Sequence, residues 1–492
     1  MSFPRIPSES DSFLQPGSGP SGGSFSEEGR FPFRRSGWKW LVFFGVVALG
    51  VTVLDSRILS KPDRFRTYRE KWSIRGDFTT FSLAAAYAVR RGENPYERDN
   101  VVVFQEDAYP SSAFASRGTH KVPWNRQPGK NFKYFPLNAV ILLPFTFLPV
   151  PLAQGVWFAL HLTLLIWVLR AHGRLAGASR VGIFVWGGAF LLAVRFFQDN
   201  LNLGQWNLPV YNLTILGLWL IIVRRRVWWG GLLVGLAAGL KFMPLGFVLY
   251  FLVRRQWKAA AAIGVSLLFW VLVVPSVVLG PARHGELLRE YRAQMVRQMD
   301  NREESGGVTG HSLLVTIKAY LSPVERKGEK DDTRYRINVL DLDPGFAALV
   351  AKAVCVALVA VTGWACGRDA SRFVPERRIL IELGLWFMLF LLISPEVRRA
   401  QMLSVFTAGF GLMLTWSERR VSARLRWASL ASLILALVCI TIASRIREGY
   451  WREWVVLHGG LTLAIGTLWG MLLVLRSRRE GDPESRAAEC SA

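Results

Sequence analysis

Apolar residues along this chain gather into runs separated by short basic loops. The runs occupy about 38–54, 135–149, 152–169, 181–196, 207–223, 229–253, 257–280, 345–366, 378–394, 402–416, 425–444 and 453–475. Most are roughly 17 to 25 residues long, the length that carries a helix across a bilayer. Lipid offers no partner to an unpaired amide, so such runs predict helices and an all-α polytopic membrane protein. Two long polar segments, about 55–134 and 281–344, interrupt the series.

The run 229–253, "WGGLLVGLAAGLKFMPLGFVLYFLV", carries basic clusters at both ends. One straight span cannot place both on one side. The break "KFMP" predicts two half-length helices that enter and leave from the same side, with Lys241 near the tip and Pro244 removing a backbone donor. The run 135–149, "FPLNAVILLPFTFLP", is similarly short and interrupted by proline. The count is then about ten full spans plus two partial ones. Twelve full spans is the alternative, and it would leave Arg224, Arg225 and Arg226 outside.

Charge refines this picture. Of the 492 residues 51% are hydrophobic, and the formal charge is +24. The Lys and Arg residues stand in short clusters between the runs, which is a topological signal and not a nucleic-acid footprint. Retaining "RRSGWK", "RRR" at 224–226, "RRQWK" at 254–258, "GRDASRFVPERR" at 367–378, "SERRVSARLR" at 417–426 and "RSRR" near the end on the cytoplasmic side places both long segments outside. The short loops near 198–206 and 395–401 go with them. Residues 1–37, rich in Ser, Gly and Pro, read as a disordered cytoplasmic tail before an uncleaved first span. The rest divides into an N-terminal transmembrane module at 38–280 that includes the outer loop 55–134, a second outer segment at 281–344, C-terminal helices at 345–476 and a tail at 477–492. Cys355, Cys366, Cys439 and Cys490 make neither a disulfide framework nor a metal spacing. No nucleotide-binding glycine motif and no internal repeat is present.

Candidate chemistry collects in the outer segments. In "RGDFTTFSLAAAYAVRRGENPYE" (75–97), Phe78, Phe81, Ala85 and Val89 recur at helical spacing, predicting a helix that lies along the membrane surface. Asp77 stands at its head, as an N-cap, as a carboxylate acting on a substrate hydroxyl, or as both. "GENPYE" reads as a turn. Lys241 either reaches a lipid phosphate or snorkels and caps carbonyls at the break. In "VRFFQDNLNLGQWN", Arg195 and Asp199 form either a surface ion pair or, with Gln205 and Asn207, a set of donors at the outer mouth. His161 reads as a packed residue. His311, in "GGVTGHSLL", approaches the membrane through a glycine-rich stretch. "HGELLREYRAQMVRQMDNREE" (284–304) reads as an amphipathic surface helix whose arginines can attract anionic lipid phosphates.

The order of these features resembles a known family. An aspartate in the first outer segment, the G-x-N-P-Y turn at 92–96, "YFPL" at 134–137, "LGQWN" at 203–207, "AAGLKFMPL" followed by "RRQW", "GHSL" at 310–313 and "ISPE" at 393–396 are together similar to the family 87 glycosyltransferases. Those are polyprenyl-phosphate-sugar-dependent enzymes, mostly mannosyltransferases, of the GT-C superfamily. The resemblance covers about residues 70–410. It implies a GT-C-like fold with about 10–12 transmembrane helices and two long extracytoplasmic segments bearing surface helices. It also implies a bacterial cytoplasmic-membrane enzyme with an extracytoplasmic site that passes mannose from a polyprenyl-phosphate donor to a lipid or glycan acceptor. No cofactor is expected and a metal is not required, since arginines can stabilise the leaving phosphate and the sequence shows no carboxylate cluster of the kind a hard cation prefers.

On that footing Asp77 matches the family's catalytic aspartate, and His311 its position before the Ser-Leu pair. Arg75, Lys241 and Arg398 would hold the donor phosphate. Asn94, Tyr96, Arg195, Gln205, Asn207 and Glu396 would line the substrate mouth. Family members often carry an aromatic residue and histidines after the "SP" pair, where this chain has "SPEVRRAQM", so Glu396, Arg398 and Arg399 alter recognition. The rival class is a transporter or flippase for a glycolipid. The lack of duplicated halves, the few acidic residues in the spans and the two large outer segments weigh against it.

Overall fold

Strong apolar runs and short basic loops give a bundle of helices, seen in a computed structural model that describes residues 77–96, 101–102, 127–128, 132–176, 181–304, 311–324, 326–327, 334–368, 376–394, 397–418, 421–445 and 455–477. The first apolar run, Arg75 and Glu396 lie outside the described residues. A π-helical turn, Phe78–Leu83, leads into α1 (Ala84–Arg90). Then follow α2 (Pro136–Leu142), α3 (Val150–Leu175), α4 (Ile183–Leu203), α5 (Asn207–Ile222), α6 (Val227–Leu240), α7 (Gly246–Val253) and α8 (Trp257–Leu268). A second π-turn joins α8 to α9 (Val274–Leu279). The series continues with α10 (Pro281–Glu304), α11 (Leu313–Leu321), α12 (Pro344–Gly367), α13 (Glu376–Ile393), α14 (Val405–Ser417), α15 (Ala423–Arg445) and α16 (Gly460–Ser477). Two antiparallel pairs of two-residue strands, Val101–Val102 with Gln127–Pro128 and Arg326–Lys327 with Arg334–Tyr335, are the extended pairings among the described residues.

Five of the described stretches are long and apolar enough to cross a membrane: Leu152–Leu175, Trp257–Leu279, Pro344–Gly367, Ala423–Ala443 and Gly460–Ser477. Shorter apolar helices at Pro136–Phe147, Asn207–Ile222, Val227–Leu240 and Met243–Val253 accompany them. The protein is an all-α polytopic membrane protein. Side chains such as Phe184, Val277 and Trp228 stay exposed on its flank, as they must where the solvent is lipid.

The broken run is resolved by the direction of its pieces. Helices α5 and α6 lie antiparallel and very close, since a Cβ built on Gly217 would sit 2.7 Å from the Gly230 carbonyl oxygen. Helix α6 then runs parallel to the α8–α9 stretch, because Gly231 meets Ala262, Gly235 meets Ser266 and Gly239 meets Val271 in the same order along both. A chain that passes one way in α6 and the same way in α8 must return between them, and α7 is that return. The two basic clusters, Arg224–Arg226 and Arg254–Lys258, therefore share one end of the bundle, as the charge pattern predicts. The opposite end carries the Lys241 break.

At the basic end a charged cluster closes the bundle interior. The Arg476 Nε donates to Glu382 Oε1 at 2.6 Å, Tyr250 Oη donates to Glu382 Oε2 at 3.0 Å, and Arg254 Nη1 lies 3.8 Å from Glu382 Oε1. Both guanidinium groups also donate to the Cys366 carbonyl at 3.2 Å. These groups are almost wholly removed from solvent, so each charge depends on the others for the hydration it has lost.

Candidate active site

The non-basic end of the bundle is built from segments far apart in sequence. Gly204 ends α4 in the left-handed conformation, φ 61°, and a side chain there would meet the Phe78 Cβ at 2.9 Å. The chain can turn through this point only because the residue is glycine. Trp157 from α3 stacks on Phe78 with ring centroids 4.8 Å apart and donates its Nε1 hydrogen to the Gly204 carbonyl at 3.0 Å. Trp206 donates to Ser82 Oγ at 2.9 Å, and His161 contacts the Gln205 carbonyl at 3.0 Å. His161 is thus the packed residue its position suggests, and it braces the turn that presents Gln205.

From that turn a line of polar side chains crosses to Asp77. Lys241 Nζ donates to Asn207 Oδ1, Asn207 Nδ2 donates to Gln205 Oε1 at 2.5 Å, and Gln205 Nε2 donates to Asp77 Oδ2 at 2.5 Å. Every bond points the same way, from the ammonium to the carboxylate. Each polarises the next, and the opposite charges stand at the two ends. The structure brings Asp77, Gln205, Asn207 and Lys241 into one network. The helix behind Asp77 departs from the expected α-helix, because it opens with the π-turn Phe78–Leu83, a geometry that widens the backbone ring and recurs at functional sites.

Tyr134 stands close enough to feel the same carboxylate. Burial pushes its hydroxyl up to about 12, the neighbouring Asp77 charge adds to that rise, and Arg398 opposes it. Tyr134 therefore stays neutral throughout the physiological range, within the electrostatic reach of both Asp77 and Arg398. The pattern "YFPL" points to this segment, but nothing in it singles out the tyrosine. Its partner Tyr96 donates from Oη to the Tyr134 carbonyl at 2.8 Å, while Asn94 Oδ1 accepts from the Tyr96 amide at 3.0 Å. Asn94 and Tyr96 thus set the position of Tyr134. Asn138, three residues after Phe135, donates to the Leu240 carbonyl at 3.3 Å, and Phe135 lies 4.9 Å from Phe242. These contacts hold the "YFPL" segment against the Lys241 break.

The remaining predicted residues fall around this centre. Arg398 is exposed and begins a 3-10 turn, Arg399–Ser404. That turn is fastened by Asn200, which donates to the Ala400 carbonyl at 2.6 Å. His311 is buried, its amide donates to the Val397 carbonyl at 3.0 Å, and Thr462 Oγ1 donates to the His311 carbonyl at 2.8 Å. The histidine is thereby anchored beside the Arg398 segment. Arg195 lies along its own helix, 3.3 Å from Asp199 and from Gln198, so the ion pair is formed.

The model of glycosyltransferase family 87 matches residues 132–395, more than half of the chain. The chain belongs to glycosyltransferase family 87. Among curated relatives of this family 87 protein is a polyprenol-phosphate-mannose-dependent α-(1-2)-phosphatidylinositol mannoside mannosyltransferase of Mycolicibacterium smegmatis. It is 28% identical over 48% of this chain and 50% of its own length. A pentamannoside mannosyltransferase of the same organism is 31% identical over 30% of this chain and 35% of its own. A phosphatidylinositol mannoside mannosyltransferase of Mycobacterium tuberculosis is 34% identical over 26% of this chain and 33% of its own. The chain spans half or less of the length of these relatives. No solved structure matches it. In this family 87 chain the matched region holds Tyr134, Gln205, Asn207, Lys241 and His311, while Asp77 and Arg398 lie outside it.

Proposed function

We propose that this family 87 protein transfers mannose from a polyprenyl-phosphate donor to a hydroxyl of a glycolipid acceptor of the phosphatidylinositol mannoside class. The reaction takes place on the extracytoplasmic side of a bacterial cytoplasmic membrane. The observation that carries the reading is the polar line from Lys241 to Asp77. It stands at the end of the bundle opposite Arg224–Arg226 and Arg254–Lys258, the clusters that the positive-inside rule keeps in the cytoplasm. The relatives named for mannose transfer from polyprenol-phosphate-mannose support the donor and acceptor class.

In the proposed reaction the Asp77 carboxylate accepts the proton of an acceptor hydroxyl, whose oxygen attacks the anomeric carbon of the donor sugar. The bond from that carbon to the phosphate oxygen breaks, and the phosphate leaves with the electron pair. Gln205 fixes the rotation of the carboxylate by donating to its Oδ2. Lys241, Arg398 and His311 supply charge and donors for the departing phosphate, and such preorganised groups lower the barrier most where water is excluded. The neutral Tyr134 hydroxyl can donate to the same phosphate or to a sugar hydroxyl.

The test is transfer of radiolabelled mannose from polyprenyl-phosphate-mannose by purified protein in lipid nanodiscs. Asp77→Asn keeps the shape and can still accept from Gln205, so the variant is expected to fold like wild type and lose at least 100-fold in rate, on the order of a general-base contribution. Transfer by Asp77→Asn at the wild-type rate would remove Asp77 from the chemistry.

A further inference from the structure

Helix α10 (Pro281–Glu304) is strongly charged, yet it has a buried stripe. His284, Leu287 and Gln294 are buried and Tyr291 is half-buried, at the spacing of one helical face. That face lies on the segments that form the site. Near its start, Arg283 donates to the Gly92 carbonyl at 2.8 Å, at the far end of the helix that Asp77 heads. One turn on, Leu287 joins Ala85, Val89, Tyr96, Phe132 and Ala139 in one apolar cluster. A further turn on, the Tyr291 ring lies 4.7 Å from Phe135, the residue after Tyr134, and Phe135 in turn lies 4.9 Å from Phe242, the residue after Lys241. Successive turns of α10 thus advance from the distal end of the Asp77 helix toward Tyr134 and Lys241.

Gln294 is the next residue on that face. It is 4% exposed, and neither its Nε2 nor its Oε1 makes a hydrogen bond. A buried carboxamide with both ends unsatisfied forfeits the water it had and gains nothing in return. Of the other buried amides, Asn138, Asn200 and Asn207 each donate to a carbonyl or to a neighbouring side chain, while Asn212, inside α5, shares with Gln294 the lack of a partner at both ends but does not lie on the α10 face that follows the Asp77 helix and the Tyr134 segment. A carboxamide offers a donor and an acceptor side by side, which is the arrangement that a pair of neighbouring hydroxyl groups on a sugar ring satisfies.

We propose that Gln294 is a sugar-binding residue whose carboxamide holds hydroxyl groups of a hexose in the mouth beside Asp77. The inference rests on the glycosyl-transfer reading and extends it, since it assigns α10 a part in recognising the sugar in addition to meeting the lipid surface. The sugar is either the one carried by the donor or the one on the acceptor, and kinetics separate them. The unsatisfied amide also predicts that an apolar replacement of similar size costs the fold nothing.

The test uses the full chain in nanodiscs, with polyprenyl-phosphate-mannose and a phosphatidylinositol mannoside each varied at saturating levels of the other. For Gln294→Leu the expected result is a three- to tenfold rise in KM for one substrate, the size of a lost neutral hydrogen bond, with kcat changed less. The substrate whose KM rises identifies the sugar. The apparent Tm without substrate should equal or exceed that of wild type. Unchanged KM values for both substrates overturn the inference. So does a fall in Tm with a lower kcat at unchanged KM, which would mark a structural residue. If wild-type protein transfers no mannose at all, the catalytic reading fails separately. The binding residue is then judged by the rise in Tm on adding methyl α-mannopyranoside. A smaller rise in Gln294→Leu than in wild type supports it, and an identical response in the two proteins overturns it.

Discussion

Substituting Gly204 by Ala tests whether the turn between α4 and α5 is what delivers Gln205 to Asp77. The backbone there has φ 61°, and placing a Cβ in the left-handed region costs roughly 1–2 kcal/mol. The new methyl would also meet the Phe78 Cβ at 2.9 Å and the Trp157 ring at 3.4 Å. Because Phe78 and Trp157 are stacked and buried, neither yields easily, and overpacking of this kind costs about 1–3 kcal/mol. The sum is about 2–5 kcal/mol, borne by the Gln205 turn and by the residue next to Asp77. Gly264→Ala in α8 is the matched control, since its Cβ would find no atom within 4 Å and its φ is not positive. That change should be neutral or stabilise by up to about 1 kcal/mol. The assay is apparent Tm by nanoscale fluorimetry together with the initial rate of mannose transfer. Gly204→Ala should lower both, with the rate falling more than the loss of folded protein explains, while Gly264→Ala should leave both intact. Wild-type Tm and rate in Gly204→Ala would refute the claim that this glycine is required by geometry.

Two further outcomes follow from the other end of the bundle and from the break. Glu382→Leu leaves Arg254 and Arg476 buried beside each other without their carboxylate, a loss of about 3–5 kcal/mol. The result should be a lower Tm or failure to accumulate, with unchanged KM values in whatever protein survives; a Tm equal to wild type would show that the cluster is not needed for stability. Lys241→Met removes the ammonium at the start of the polar line, and kcat/KM for the polyprenyl-phosphate donor should fall about 10- to 100-fold, the range of a lost charged hydrogen bond. Unchanged donor kinetics would reduce Lys241 to a cap on the broken helix.

Much of the architecture is legible in the sequence. The apolar runs predict α3 through α9 and α12 through α16 because a helix that meets lipid must be apolar over its whole length, which composition alone reveals. The break at "KFMP" and the shared end of its two basic clusters were also readable, since charge asymmetry and a proline act locally. Asp77 could be named as the carboxylate heading an amphipathic helix, Lys241 as a charge at the break of an apolar run, and Gln205 and Asn207 as amides at the start of one, where burial is costly enough to imply a purpose. Their joining could not be read, because Gln205 and Asp77 stand 128 positions apart. The same limit hid the electrostatic link of Tyr134 to Asp77 and Arg398, the buried Glu382 cluster and the unsatisfied Gln294. Each depends on which helices the fold sets side by side, and that choice is made by close approaches such as Gly217 on Gly230, not by any single segment. Local pattern determined which stretches are helices and where polarity is confined; only tertiary packing decided which of those polar groups meet, because hydrogen bonds act over a few ångströms and sequence distance does not record them.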